Sequence, residues 1–120
     1  MVLGAILGKY TSGDDSEEKV LQSFRRIMKE EATALKQDAI ETAMLALELH
    51  KIGDKTLAHK VMLEAISIAK SYLRVAQELG LEPKIRDAKD LIACLEVADE
   101  MILHGEDADI IMNSTLYYLE

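Results

Sequence analysis

The sequence predicts an all-α protein, and three observations carry that expectation. Its 120 residues include one proline and six glycines, so little interrupts long helices. Apolar residues recur at helical rather than alternating spacing along most of the chain. Hydrophobic residues make up 49% of the composition, which is too rich for a disordered chain. The expected architecture is an antiparallel bundle of four or five helices with a long first helix, built as one domain over residues 1–120.

The elements follow in order. Residues 1–15 are expected to form an N-terminal strap, with the apolar run 2–7 (VLGAIL) packed on the body or on a neighbouring subunit. The polar cluster 11–16 precedes the first helix, and Ser16 or an adjacent aspartate is placed to cap it. Leu21, Met28, Leu35, Thr42 and Leu49 then recur every seven residues, which predicts one helix over 16–51, with a break near Glu30 and Glu31 as the alternative. Gly53 ends that helix and Asp54 starts the next, over 55–79. Met62, Ala65, Ile66, Ala69, Leu73 and Ala76 give the second helix a face broad enough for a central position or a subunit interface. Gly80 closes it, and Pro83 is tolerated at the start of a third helix over 84–104, whose core stripe is Leu91, Leu95, Ala98 and Ile102. Gly105 separates it from a short fourth helix over 106–119.

Composition narrows the partners. A net charge of -8, with 4% aromatic residues and no tryptophan, argues against nucleic acid, whose binding needs cationic surface and stacking platforms. No apolar stretch approaches the roughly 18 residues of a membrane span, so no membrane is expected. The single cysteine, Cys94, cannot form an internal disulfide, which fits a cytoplasmic protein.

The acids raise the possibility of chemistry. Glu31 and Asp38 continue the line of Phe24 and Leu45 at seven-residue spacing, which places both carboxylates inside the apolar arc of the first helix. Asp99 falls beside Ile92 and Leu95 at the edge of the third helix's core stripe. Asp109 falls among Met112, Asn113 and Leu116. A buried carboxylate must find a cation, hydrogen bonds or a proton, and lysine and arginine are scarce on these faces. Acids converging from several helices would bind a hard cation, with all-oxygen ligands favouring magnesium or manganese. The alternative is that these acids lie beyond the end of a partner helix, or that a break near residue 30 turns Glu31 outward. His50, His59 and His104 all sit near helix ends, where capping or exposure is expected, and none has the i, i+4 spacing of a helical zinc site.

The stretch Glu106-Asp107-Ala108-Asp109 resembles the E-x-x-D helix of the all-α NTP pyrophosphatases, the MazG and dimeric dUTPase superfamily. That resemblance implies magnesium held by carboxylates of an E-E-x-x-E helix and an E-x-x-D helix, which binds a nucleoside triphosphate and activates the attacking water. It assigns Glu106 and Asp109 as metal ligands. Leu95-Glu96-Val97-Ala98-Asp99 and Gln37-Asp38-Ala39-Ile40-Glu41 each carry two of the three acids of the other motif. The full expected metal set is Glu31, Asp38, Asp99, Glu106 and Asp109, with Asn113, one turn beyond Asp109, toward the substrate. Residues 47–73, with their helix-turn-helix rhythm, also resemble a HEPN domain, but His104 lacks the preceding arginine of the RNase form.

Two functions are therefore expected as rivals. One is a magnesium-dependent nucleoside triphosphate pyrophosphohydrolase. The other is a non-catalytic helical bundle for oligomerisation or protein interaction. In either case the broad apolar faces predict a homo-oligomer, at least a dimer.

Overall fold

The computed structural model describes residues 14–116. Four helices make up these residues: α1 (Asp14–Lys51), α2 (Lys55–Leu79), α3 (Glu82–Leu103) and α4 (Ala108–Ser114). No strand occurs among the described residues. A fifth helix is not among them, and the expected strap lies, up to residue 13, outside them. The first helix is continuous through Glu30 and Glu31 and starts two residues earlier than Ser16.

Local chemistry explains each boundary. At Gly53 (φ +96°) and Gly105 (φ +75°) the chain enters the left-handed region that glycine adopts without a Cβ penalty. Each closes its helix with a Schellman pair: Gly53 N–H to His50 and Asp54 N–H to Leu49, then Gly105 N–H to Ile102 and Glu106 N–H to Met101. Asp54 then caps α2, its carboxylate accepting from the Leu57 N–H at 3.1 Å. Pro83 sits in the first turn of α3, where its missing N–H costs nothing.

The fourth helix is shorter than expected. Asp107 is its N-cap and accepts from the Asp109 N–H at 2.8 Å. Glu106 therefore lies in the turn before α4, and Asp109 in its exposed first turn. The capping side chain fixes the start one residue after Asp107, where apolar spacing alone had extended the helix back to 106.

The three long helices run antiparallel, with α2 between α1 and α3, which scarcely touch each other. Of the two roles that its broad apolar face allowed, a central position or a subunit interface, the second helix takes the central position among the described helices. Along α2 the residues Ala58, Met62, Ala65, Ala69, Tyr72, Ala76 and Leu79 are buried at alternating steps of four and three, the seam of a coiled coil. Ala88, Leu91, Leu95, Ala98 and Ile102 do the same on α3. The α1 side of the seam is built from Ala32, Ala39, Ala43 and Ala46, all fully buried, so α1 and α2 approach closely. The short α4 adds Ile111, also fully buried, at the closed end.

The resulting body is a rod, 61 × 24 × 16 Å, with a radius of gyration of 18.5 Å. A compact chain of this size would have about 13 Å. The cause is unequal helix length. At 38 residues against 25, α1 outruns α2 by roughly 20 Å. No helix of the described residues is long and apolar enough to cross a membrane.

Candidate functional site

Polar side chains meet between helices at three places. The first joins all three long helices near the α2–α3 turn. Tyr72, only 2% exposed, donates its hydroxyl to Asp87 Oδ2 at 2.7 Å. Lys36 Nζ reaches the same oxygen at 2.9 Å. Burial, reinforced by the Asp87 carboxylate, pushes the Tyr72 phenol well above its ordinary value. For Asp87, burial works upward, but the bonds from Tyr72 and Lys36 and the charges of Lys36 and Lys84 outweigh it and hold the carboxyl below its usual value. A depressed carboxyl stabilises the fold fully above its unfolded-state value of 3.8 and loses that contribution as pH falls through the folded value. The urea midpoint of the wild type should therefore exceed that of Asp87→Asn at neutral pH, with the gap closing below about pH 4. A gap that persists at lower pH would show that the carboxylate's charge is not what matters.

The second place is the far end of the same hairpin. Asp99 is buried to 8% exposure, and its Oδ1 accepts from His59 Nδ1 at 2.7 Å. Since a carboxylate can only accept, the His59 proton resides on Nδ1. No lysine or arginine is within ion-pair distance of Asp99 among the described residues. His59→Ala leaves a buried carboxylate without its partner and should lower stability by about 1–3 kcal/mol. Adding Asp99→Leu should recover most of that loss, because removing both partners of a buried pair is cheap. Equilibrium urea unfolding of the single and double variants measures both effects.

The third place links the end of α1 to the α3–α4 turn. His50 Nε2 donates to the Glu106 carbonyl oxygen at 2.6 Å. Its Nδ1 is buried without a partner among the described residues. A cleft of about 280 Å³ beside it is lined by His50, Lys51, Glu106, Asp107 and Asp109, among others.

Against this geometry the expected metal set does not assemble within the chain. Glu106 and Asp109 do share the α3–α4 cleft, but with Lys51 beside them, and Asn113 is exposed. Glu31 and Asp38 are exposed, which corrects their expected place inside the apolar arc. The reason is that Phe24 and Leu45, which define their line, are themselves 42% and 55% exposed. That line runs along a flank of α1 that no other described helix covers. Asp99 is buried as its position at the core edge implied, but it is engaged by His59. Among the described residues no group of three or more histidines, cysteines, aspartates or glutamates converges to hold a metal. Within one copy, the described residues therefore bring no more than two of these acids to one place.

The Tyr72–Asp87 and His59–Asp99 bonds were not read from the sequence, although a signal existed. In an antiparallel hairpin the turn fixes the register, so each step back along α2 matches one forward along α3. From Tyr72 to His59 is thirteen residues and from Asp87 to Asp99 twelve, so the two pairs keep one register to within a residue. His104 behaves as expected of a helix end, exposed and donating from Nδ1 to the Glu100 carbonyl at 2.7 Å. The Cys94 thiol is half-buried and raised, first by burial and then by the charge of Asp90, which makes it a poor nucleophile. Set against known protein families, curated proteins and solved structures, the chain has no significant match in any of the three.

Proposed function

We propose that this chain is a non-catalytic helical module that works by pairing with a second copy of itself through the projecting end of α1. The observation that supports this reading is the apolar stripe of α1 beyond the end of α2. Arg25 donates to the carbonyl oxygen of Leu79, the last residue of α2, at 3.1 Å, so α1 before that point has no antiparallel neighbour among the described helices. Leu21, Phe24 and Ile27 lie in or next to that stretch, 43%, 42% and 55% exposed. Leu21 lies seven residues before Met28 and so continues the buried seam toward the start of α1, with Phe24 and Ile27 on the adjoining open flank. An apolar stripe that extends a buried seam marks an interaction surface.

The charges around the stripe favour a second copy as the occupant. Glu17 and Glu18 precede Leu21, and Arg25 and Arg26 follow it. Two identical arms laid antiparallel bring the acidic pair of each opposite the basic pair of the other, with Leu21 and Phe24 between them. This is the self-complementary arrangement of a two-fold dimer.

Light scattering at high micromolar concentration should give twice the 13.4 kDa chain mass. Leu21→Glu with Phe24→Glu should give the single-chain mass at unchanged helicity, since neither side chain is part of the buried core. A wild-type monomer, or a dimer that survives both substitutions, overturns the reading. Magnesium-dependent release of pyrophosphate from nucleoside triphosphates, lost in Asp109→Asn, would instead support the pyrophosphohydrolase.

A further inference from the structure

The three-helix junction at Tyr72 also opens to the surface. Because α1 and α3 flank α2 without packing on each other, they leave a cleft of about 460 Å³. Thr33 and Lys36 line it from α1, Pro83, Lys84 and Asp87 from α3, and Tyr72 lies at its base. That volume is within the range of small-molecule sites.

We propose that this cleft binds a small molecule through a phosphate group. Two ammonium groups face one carboxylate there, a local excess of positive charge on a chain of net charge -8. The carboxylate is already committed, since Asp87 accepts from both Tyr72 and Lys36. Lys84 is close enough for its charge to act on Asp87, yet it makes no ion pair among the described residues. A second anion in the cleft therefore gains Lys84 outright and shares Lys36 with Asp87. Among the described residues the cleft is lined by lysine and not arginine, so an anion there is held by point charges, and a phosphate, with about -1.5 to -2 charges near neutral pH, gains more from two ammonium groups than a singly charged carboxylate does. Pro83 supplies an apolar wall for the organic part of the ligand.

The probes are inorganic phosphate, phenyl phosphate and acetate, each titrated into the isotope-labelled full chain and followed by backbone amide shifts. Saturable shifts are expected at Thr33, Lys84 and Asp87, with phenyl phosphate tighter than phosphate and acetate weakest. Lys84→Ala should weaken phosphate binding about tenfold, or about 1.4 kcal/mol. Arg74→Ala, on the exposed side of α2, should leave it unchanged. Lys84 is a partly exposed residue outside the buried core, so its removal leaves the fold intact. The absence of saturable shifts, shifts that survive Lys84→Ala, or equal binding of acetate would each overturn the proposal. Because the cleft lies away from Leu21 and Phe24, its failure would leave the dimer reading untouched.

Discussion

Replacing Tyr72 with alanine should cost about 3–5 kcal/mol of unfolding free energy, the cost of emptying an aromatic site in a core that cannot collapse around the gap. Tyr72 is the largest fully buried side chain among the described residues, and it sits on the central helix, where a cavity removes contacts to both neighbours. Its hydroxyl contributes a separate and smaller amount. Tyr72→Phe keeps the ring and removes the bond to Asp87, which retains Lys36 as its partner, so the cost should be about 1 kcal/mol. The two substitutions divide the residue into packing and polar parts. Urea unfolding of both variants, with the slope checked for two-state behaviour, measures them. A loss in Tyr72→Phe as large as in Tyr72→Ala would mean that the hydrogen bond, not the ring, holds the junction together.

The sequence made most of the fold legible because its helix signals are local. The seven-residue recurrence from Leu21 to Leu49 correctly implied one long helix, and Gly53, Gly80 and Gly105 marked where each helix ends, since a left-handed residue is needed there. The second helix was placed at 55–79, as observed. What periodicity does not reveal is how many neighbours a helix has. Phe24 and Leu45 continue an apolar line, but α1 packs mainly against α2, so one flank stays open and carries Glu31 and Asp38 into solvent. Asp99 differs because α3 ends against the start of α2, where His59 supplies its hydrogen bond. Glu106 and Asp109 line one cleft because only three positions of chain separate them. Their further convergence with acids on other helices depended on packing, which no local pattern encodes.

The second large effect is expected where α1 and α2 come closest. Ala39 and Ala43 on α1 and Ala65 and Ala69 on α2 have no exposed surface, and a seam of small side chains lets the two backbones approach. Alanine also brings no side-chain entropy to lose on folding, so this seam forms at little conformational cost. Its weakness is intolerance of added volume. Ala39→Leu or Ala65→Leu alone should destabilise by about 1–3 kcal/mol, because the helices must separate or the leucine must leave its rotamer. Both together should cost about 2–6 kcal/mol, or less if one separation of the helices admits both side chains. The contrasting substitution is Leu45→Ala. It removes a far larger apolar side chain, but one that is 55% exposed on the open flank, and the change should stay within about 0.5 kcal/mol. Thermal and urea unfolding of the variants, at a concentration where the assembly state is fixed, separates the two cases. If adding methylenes at Ala39 and Ala65 is harmless while Leu45→Ala is damaging, α2 does not pack on the alanine face of α1, and the flank assigned to solvent is the buried one.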